Sequence, residues 1–151
     1  MIQQMQTKGK LLGVDFGDKR TGLAISNDGR TVASGIEQIS VGGLHKTAEA
    51  VAAIARERGV CGIVVGLPVN MDGSHGPRAA HAEKFARLLA EALEGTDIVV
   101  VMLDERMTTM VAYRFLGETG TYGKKRKDTV DTLSAQIILQ NYIDRERATK
   151  K

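Results

Sequence analysis

The chain has 151 residues, enough for one domain with a hydrophobic core. Its 42% hydrophobic and 26% charged residues are ordinary for a soluble globular protein, and no apolar run approaches the ~20 residues of a membrane span. Aromatic residues make up 4% with no Trp, which argues against base stacking as the main grip on a nucleic acid. The net charge of +3 is uneven: residues 124–151 hold eight Lys and Arg against four Asp and Glu, of 21 and 18 in the whole chain. Such a positive field suits a polyanion, and equally a solvated helix end with a frayed tail. The start, MIQQMQTKGK, lacks the apolar stretch of a signal peptide. The single cysteine, Cys61, excludes an internal disulfide, fits a reducing compartment, and reads as an inert buried thiol.

In chain order, residues 10–16 read as an apolar strand and 21–27 as its hairpin partner. Asn27-Asp28-Gly29-Arg30 carries turn chemistry, and 31–40 predicts a third antiparallel strand that Gly42 and Gly43 interrupt. Ala48, Val51, Ala52 and Ala55 recur at helical spacing until Gly59. Gly62–Leu67 contains IVVGL, a run typical of a strand covered on both faces. A polar loop over 68–77 precedes a helix with Ala82, Phe85, Leu88, Leu89 and Ala92 on one face, ending at Gly95. Residues 97–103 are expected to form another buried strand, 107–116 a helix, 117–127 a glycine- and lysine-rich loop, and 128–145 the last helix.

This order predicts an α/β fold with one mixed five-stranded sheet, three antiparallel strands then two parallel, and helices on both faces. No repeat or linker divides the chain, so 1–151 is expected to be one domain, with 1–8 and 146–151 as flexible tails.

Three acids occur where the pattern does not call for them. Asp15 ends the first strand beside Leu11, Leu12 and Val14, where an unpaired carboxylate must neutralise or find a cation. Glu105 lies just past the fifth strand, in LDERMTT; Asp131 shares a mostly apolar face of the last helix with Ala135, Ile138 and Tyr142. Each has a bland explanation. Asp15 could start a tight turn, Glu105 could favour a helix dipole, and Asp131 could sit at the third helical position with Asp128 as N-cap. Taken together they suggest more: if the first and fifth strands are neighbours, Asp15 and Glu105 emerge at one sheet edge, and a helix across that edge could bring in Asp131.

Three converging carboxylates repel one another unless a cation intervenes. Mg²⁺ or Mn²⁺ suits such oxygen ligands, and two ions about 3.5–4 Å apart can activate water for phosphodiester hydrolysis. No His or Cys spacing suggests zinc, and His45, His75 and His81 read as solvent-facing or packing residues.

The segments GVDFGDKRTGLAIS (13–26), GLPVNMDGSHGP (66–77), DERMTT (104–109) and VDTLSAQIILQNYID (130–144), the last after a Lys-rich loop, cover most of the chain. In order and spacing they resemble the YqgF family, also called RuvX-like resolvases, of the ribonuclease H-like superfamily. The resemblance implies a cytoplasmic bacterial nuclease that processes the 5′ end of precursor 16S ribosomal RNA, or a Holliday-junction resolvase acting on four-way DNA as a dimer. It puts the family's acidic positions on Asp15, Glu105 and Asp131, as catalytic residues and as ligands of Mg²⁺ or Mn²⁺.

Lys19 and Arg20 follow the Asp15 turn, and Arg106 follows Glu105, all within reach of a phosphate there. The 66–77 loop could close over substrate or be a rigid turn. Lys124, Lys125, Arg126 and Lys127 form the densest charge run, readable as a backbone-phosphate clamp or as a solvated loop. The expected partner is nucleic acid, either precursor rRNA or branched DNA, with no membrane, for a monomer or homodimer. Two further classes remain open at this level. An aspartate-glycine hairpin also opens the actin and sugar-kinase ATPases, which need a second such domain; and a non-catalytic RNA- or ribosome-binding module could keep the same fold.

Overall fold

Near-continuous burial along Leu11–Asp15 (β1) and Thr21–Ser26 (β2) holds these segments in an antiparallel hairpin, with Leu12 opposite Ile25 and Asp15 opposite Gly22. The computed structural model describes residues 8–107 and 124–149, with side chains over 8–106 and 132–149. Ala33–Ile39 (β3) continues the antiparallel half, with an irregularity opposite Leu23 and Ala24. Leu44–Arg58 (α1) then crosses over and ends where Gly59 takes the left-handed conformation, φ 67°. Gly62–Leu67 (β4) pairs parallel with β1, Pro77–Ala92 (α2) crosses again, and Val99–Asp104 (β5) pairs parallel with β4. A short 3₁₀ turn, Glu105–Met107, follows β5, and Lys124–Thr149 forms the long helix α3.

The strand order β3-β2-β1-β4-β5 is the expected mixed sheet. One face carries α1 and α2 over a core of Leu12, Val14, Leu23, Val51, Ile63, Val65, Phe85 and Leu89. The other carries α3, whose Ala135, Ile138, Leu139 and Ile143 pack on Leu11, Ala24, Val64 and Leu103. This two-sided burial explains why β4 reads as an unbroken apolar run. Among the described residues, no helix is long and apolar enough to cross a membrane.

Several expectations are corrected. β5 is an edge strand among the described residues, and Val100, Val101 and Met102 are only partly buried; an apolar run on its own does not report which neighbours cover it. α2 gives way at Leu93, before Gly95. The last helix begins at Lys124 rather than Asp128, since Lys and Arg are good helix formers and nothing in KKRK breaks the helix. Asp128 is therefore inside the helix and Asp131 is its eighth residue, not its third, which removes the N-cap explanation. The helix also runs through Thr149, with Glu146 bound to Arg30, so residues 146–149 are not a tail. The helix expected over 107–116 and the loop over 117–123 lie, apart from Met107 in the 3₁₀ turn, outside the described residues.

α3 approaches the sheet closely because three strands present glycine to it. A methyl group on Gly13 of β1 would sit 2.7 Å from Leu139 Cβ and 2.9 Å from the Ala135 carbonyl oxygen. One on Gly66 of β4 would sit 2.5 Å from Ile138 Cδ1, and one on Gly35 of β3 would collide with Thr132. At its far end α3 is clamped by Arg30, 3% exposed in the turn between β2 and β3. Arg30 donates to both Glu146 carboxylate oxygens (3.1 and 3.0 Å), to the carbonyls of Gly9 and Lys8, and to Cys61 Sγ. Cys61 is thus a partly buried, hydrogen-bonded thiol at the entrance to β4, rather than a core residue within it.

Candidate active site

β1, β4 and β5 run parallel and end at the same edge of the sheet, where the chain places two acids. Asp15 is the last residue of β1. Strand alternation puts it on the α3 side with Leu11 and Gly13, opposite to Leu12 and Val14. Glu105 opens the 3₁₀ turn directly after β5. β1 and β5 are not neighbours, contrary to the simplest sequence expectation: β4 lies between them.

The bridge across β4 is Gly66. Val14 pairs with Val65, so Asp15 stands level with Gly66, and the Glu105 carboxyl carbon lies 3.2 Å from where a Gly66 side-chain carbon would be. Because Gly66 has no side chain, Glu105 folds back over the middle strand toward Asp15.

The electrostatics agree. Burial pushes the Asp15 carboxyl above the usual carboxylate range, and the Arg78 guanidinium opposes that rise. Glu105 is also raised, by burial first and then by the negative charges of Asp15 and Asp104, with Arg78 again opposing. Neither carboxylate has a hydrogen bond or ion pair to a described residue, although both are partly buried. Asp104 shows the contrast. It accepts from Arg106 Nη2 at 2.8 Å, from Nε at 3.1 and 3.2 Å and from the Arg106 backbone N–H at 2.9 Å, and these bonds hold its carboxyl below the usual range. Two adjacent acids in LDERMTT thus have opposite fates, one satisfied and one left open.

Comparison with known proteins defines the lineage. The family described as "RuvX: Holliday junction resolvase" matches residues 9–145. The chain belongs to the RuvX family. A relative from Ruminiclostridium cellulolyticum, named "Putative pre-16S rRNA nuclease", is 39% identical over 143 residues, covering 94% of this chain and 99% of its own. A relative of the same name from Caldanaerobacter subterraneus is 42% identical over 139 residues, covering 91% and 98%. Among solved structures, T. thermophilus RuvC in complex with a Holliday junction substrate superposes with a TM-score of 0.63 at 12% identity, covering 93% of this chain and 96% of that one. The fowlpox virus Holliday junction resolvase gives 0.56 at 12% identity, covering 90% and 99%. At that identity the likeness is one of fold, and it matches the five-stranded mixed sheet described above.

Within this RuvX-family chain the predicted site residues are not all alike in placement. Asp15 and Glu105 come together. Asp131 lies on α3, with its side chain outside the described residues, as are those of Lys124 and Lys125. No group of three or more His, Cys, Asp or Glu poised for a metal occurs among the described residues.

Lys19 and Arg20 are exposed in the turn between β1 and β2, which is tight because Gly17 packs against the Arg20 carbonyl. Arg106 is engaged by Asp104 rather than free for a phosphate. The 68–76 loop is braced internally: Gly73, at φ 89°, donates to the Asn70 carbonyl, and the Ser74 backbone and hydroxyl both donate to Asp72. That bracing describes a rigid turn better than a closing flap. His45 is exposed, His75 pairs with Glu83, and His81 lies 3.5 Å from Asp18.

Two residues of the site escaped sequence reasoning. Gly66 looked like part of a buried strand. Arg78 was not singled out, yet its position held a signal: a cation in the first turn of a helix opposes the helix dipole, an arrangement that a nearby anion offsets.

Proposed function

We propose that this chain hydrolyses phosphodiester bonds in nucleic acid with divalent cations, Mg²⁺ or Mn²⁺, held by Asp15, Glu105 and Asp131. The observation that carries this reading is the meeting of Asp15 and Glu105 over Gly66, two partly buried carboxylates of which Asp15 raises the proton affinity of Glu105, and neither of which has a hydrogen bond or ion pair to a described residue. Such a donor set, all oxygen and negatively charged, fits a hard cation.

The course of α3 supports the third ligand. Glu146 reaches Arg30 beside Gly9, before β1 begins, while Ala135 and Leu139 lie over Gly13, so the helix runs antiparallel to β1. Four helical residues rise about 6 Å and two strand residues about 6.6 Å. Position 131 therefore draws level with Asp15, on the helix stripe that carries Ala135 and Ile138.

Bound divalent cations activate a water and stabilise the leaving oxygen. The protein's part is to hold the acids deprotonated and fixed on strand ends, with Lys19 and Arg20 in reach of flanking phosphates and Lys124 and Lys125 on the backbone further out. Relatives at 39–42% identity, named for precursor 16S rRNA, support an RNA substrate over a four-way junction, and the reading assigns this activity to the cytoplasm.

The test is a cleavage assay with Mg²⁺ or Mn²⁺ on precursor 16S rRNA and on a four-way DNA junction, with Asp15→Asn as control. Cleavage of the RNA that the variant loses supports the reading. Equal products from both proteins would mean contamination and defeat it. Binding without cleavage would point to a non-catalytic RNA-binding module, and preferential cutting of the junction by a dimer to the resolvase alternative.

A further inference from the structure

We infer that Arg78 is a substrate-binding residue of this site: its guanidinium serves as counter-charge to Asp15 and Glu105 before cations bind, and then takes the phosphate of the bond to be cut. The inference rests on the nuclease reading above.

The placement of α2 carries it. Phe85 stacks on Phe16, ring centroids 4.6 Å apart, and His81 lies 3.5 Å from Asp18. Phe16 and Asp18 directly follow the end of β1 at Asp15. Residues 78, 81 and 85 follow one stripe of the helix, so Arg78, one turn before His81, stands at the sheet edge itself. Among the described residues, Arg78 is the cation whose charge acts on both acids.

Arg78 is exposed and makes no hydrogen bond or ion pair with a described residue, so its donors remain available. The other candidate near Glu105, Arg106, is taken by Asp104. Arg78 also sits at the second position of a helix that begins with Pro77 and has no acid in its first turn. A cation there faces the positive end of the helix dipole, an arrangement that an anion offsets. The acids face α3 while Arg78 comes from α2, so a phosphodiester entering at the edge meets the acids on one side and the guanidinium on the other. A planar guanidinium suits two phosphate oxygens at once.

This dual role has a consequence of opposite signs. A positive charge beside the acids competes with divalent cations, yet assists the substrate. In Arg78→Gln, Mn²⁺ binding without substrate, measured by titration calorimetry, is expected to tighten about 3- to 10-fold. Cleavage of precursor 16S rRNA at saturating Mn²⁺ is expected to lose about 10- to 100-fold in kcat/KM. Arg78→Lys should restore the wild-type metal affinity and only part of the cleavage.

Misfolding would weaken both metal binding and cleavage, so it cannot produce this pair. Unchanged kcat/KM in Arg78→Gln overturns the proposal, as does parallel loss of metal binding and cleavage in a variant with wild-type melting temperature. If wild-type protein neither binds Mn²⁺ nor cleaves, the nuclease reading itself has failed. If wild type does both and Arg78→Gln matches it, only the role of Arg78 has.

Discussion

Asp15 and Glu105 are kept in a state that disfavours the metal-free protein. Their carboxyls sit above the usual range because burial penalises the charged form of both, and the negative charges of Asp15 and Asp104 add to the rise at Glu105. A raised carboxylate binds protons more readily folded than unfolded. Its stabilising contribution is therefore full below the unfolded value, near pH 4, and is lost as pH rises through the higher folded value. Two outcomes are expected. Asp15→Asn should abolish cation-dependent cleavage by at least about 10²-fold while raising the metal-free melting temperature at pH 7; a gain of about 1 kcal/mol is worth about 2–4 °C. Thermal melts with and without Mg²⁺ check this, since the cation should stabilise wild type and leave the variant unmoved. Separately, Mn²⁺ affinity should begin to fall, as pH is lowered, above the range of an ordinary carboxylate, because proton and cation compete for the same oxygens; calorimetry at stepped pH reads it.

At the level of elements, the site depends on how close α3 comes to the sheet. Gly13 and Gly66 both allow that approach, but they meet different atoms. A methyl on Gly13 would strike the Ala135 carbonyl and Leu139 Cβ, which move only if the helix moves; a methyl on Gly66 would strike the flexible tip of Ile138 and crowd Glu105. Gly13→Ala is therefore expected to cost about 1–3 kcal/mol of stability. Gly66→Ala should cost less but lower cleavage more, by displacing Glu105 from Asp15. Urea unfolding and cleavage rates on the two variants separate these effects, and the reverse ranking would refute the assignment of Gly66 as the bridge.

Across the whole molecule, the edge that carries the acids is opposite the edge that anchors α3. Arg30, in the left-handed conformation at φ 53°, joins the chain start, the β2–β3 turn, the entrance to β4 and the end of α3 through Gly9, Cys61 and Glu146. Removing one partner of a fully buried pair costs about 3–5 kcal/mol; Glu146→Ala should cost about 1–3, because Arg30 keeps its carbonyl partners. Its cleavage rate at 25 °C should stay near wild type, since the clamp lies far from the acids. A denaturation midpoint that drops without loss of kcat is the expected result; loss of kcat in folded protein would show that the clamp sets the position of α3 at the site.

Much was legible in the chain itself. β1 and β4 follow from their apolar runs, β2 as the hairpin partner of β1, α1 from its spacing and Gly59, and the mixed sheet from the order of elements, because hydrophobic patterning is a local property. Asp15 and Glu105 stood out because acids ending apolar strands demand a partner. Tertiary structure decided the rest. It placed β4 between β1 and β5, made Gly66 the gap through which Glu105 reaches Asp15, tied Asp104 and not Glu105 to Arg106, and brought Arg78 to the edge on α2. Those facts depend on strand order and on which side chains meet across elements distant in sequence, and a one-dimensional pattern carries only the tendency of each residue to be buried, not the identity of what it is buried against.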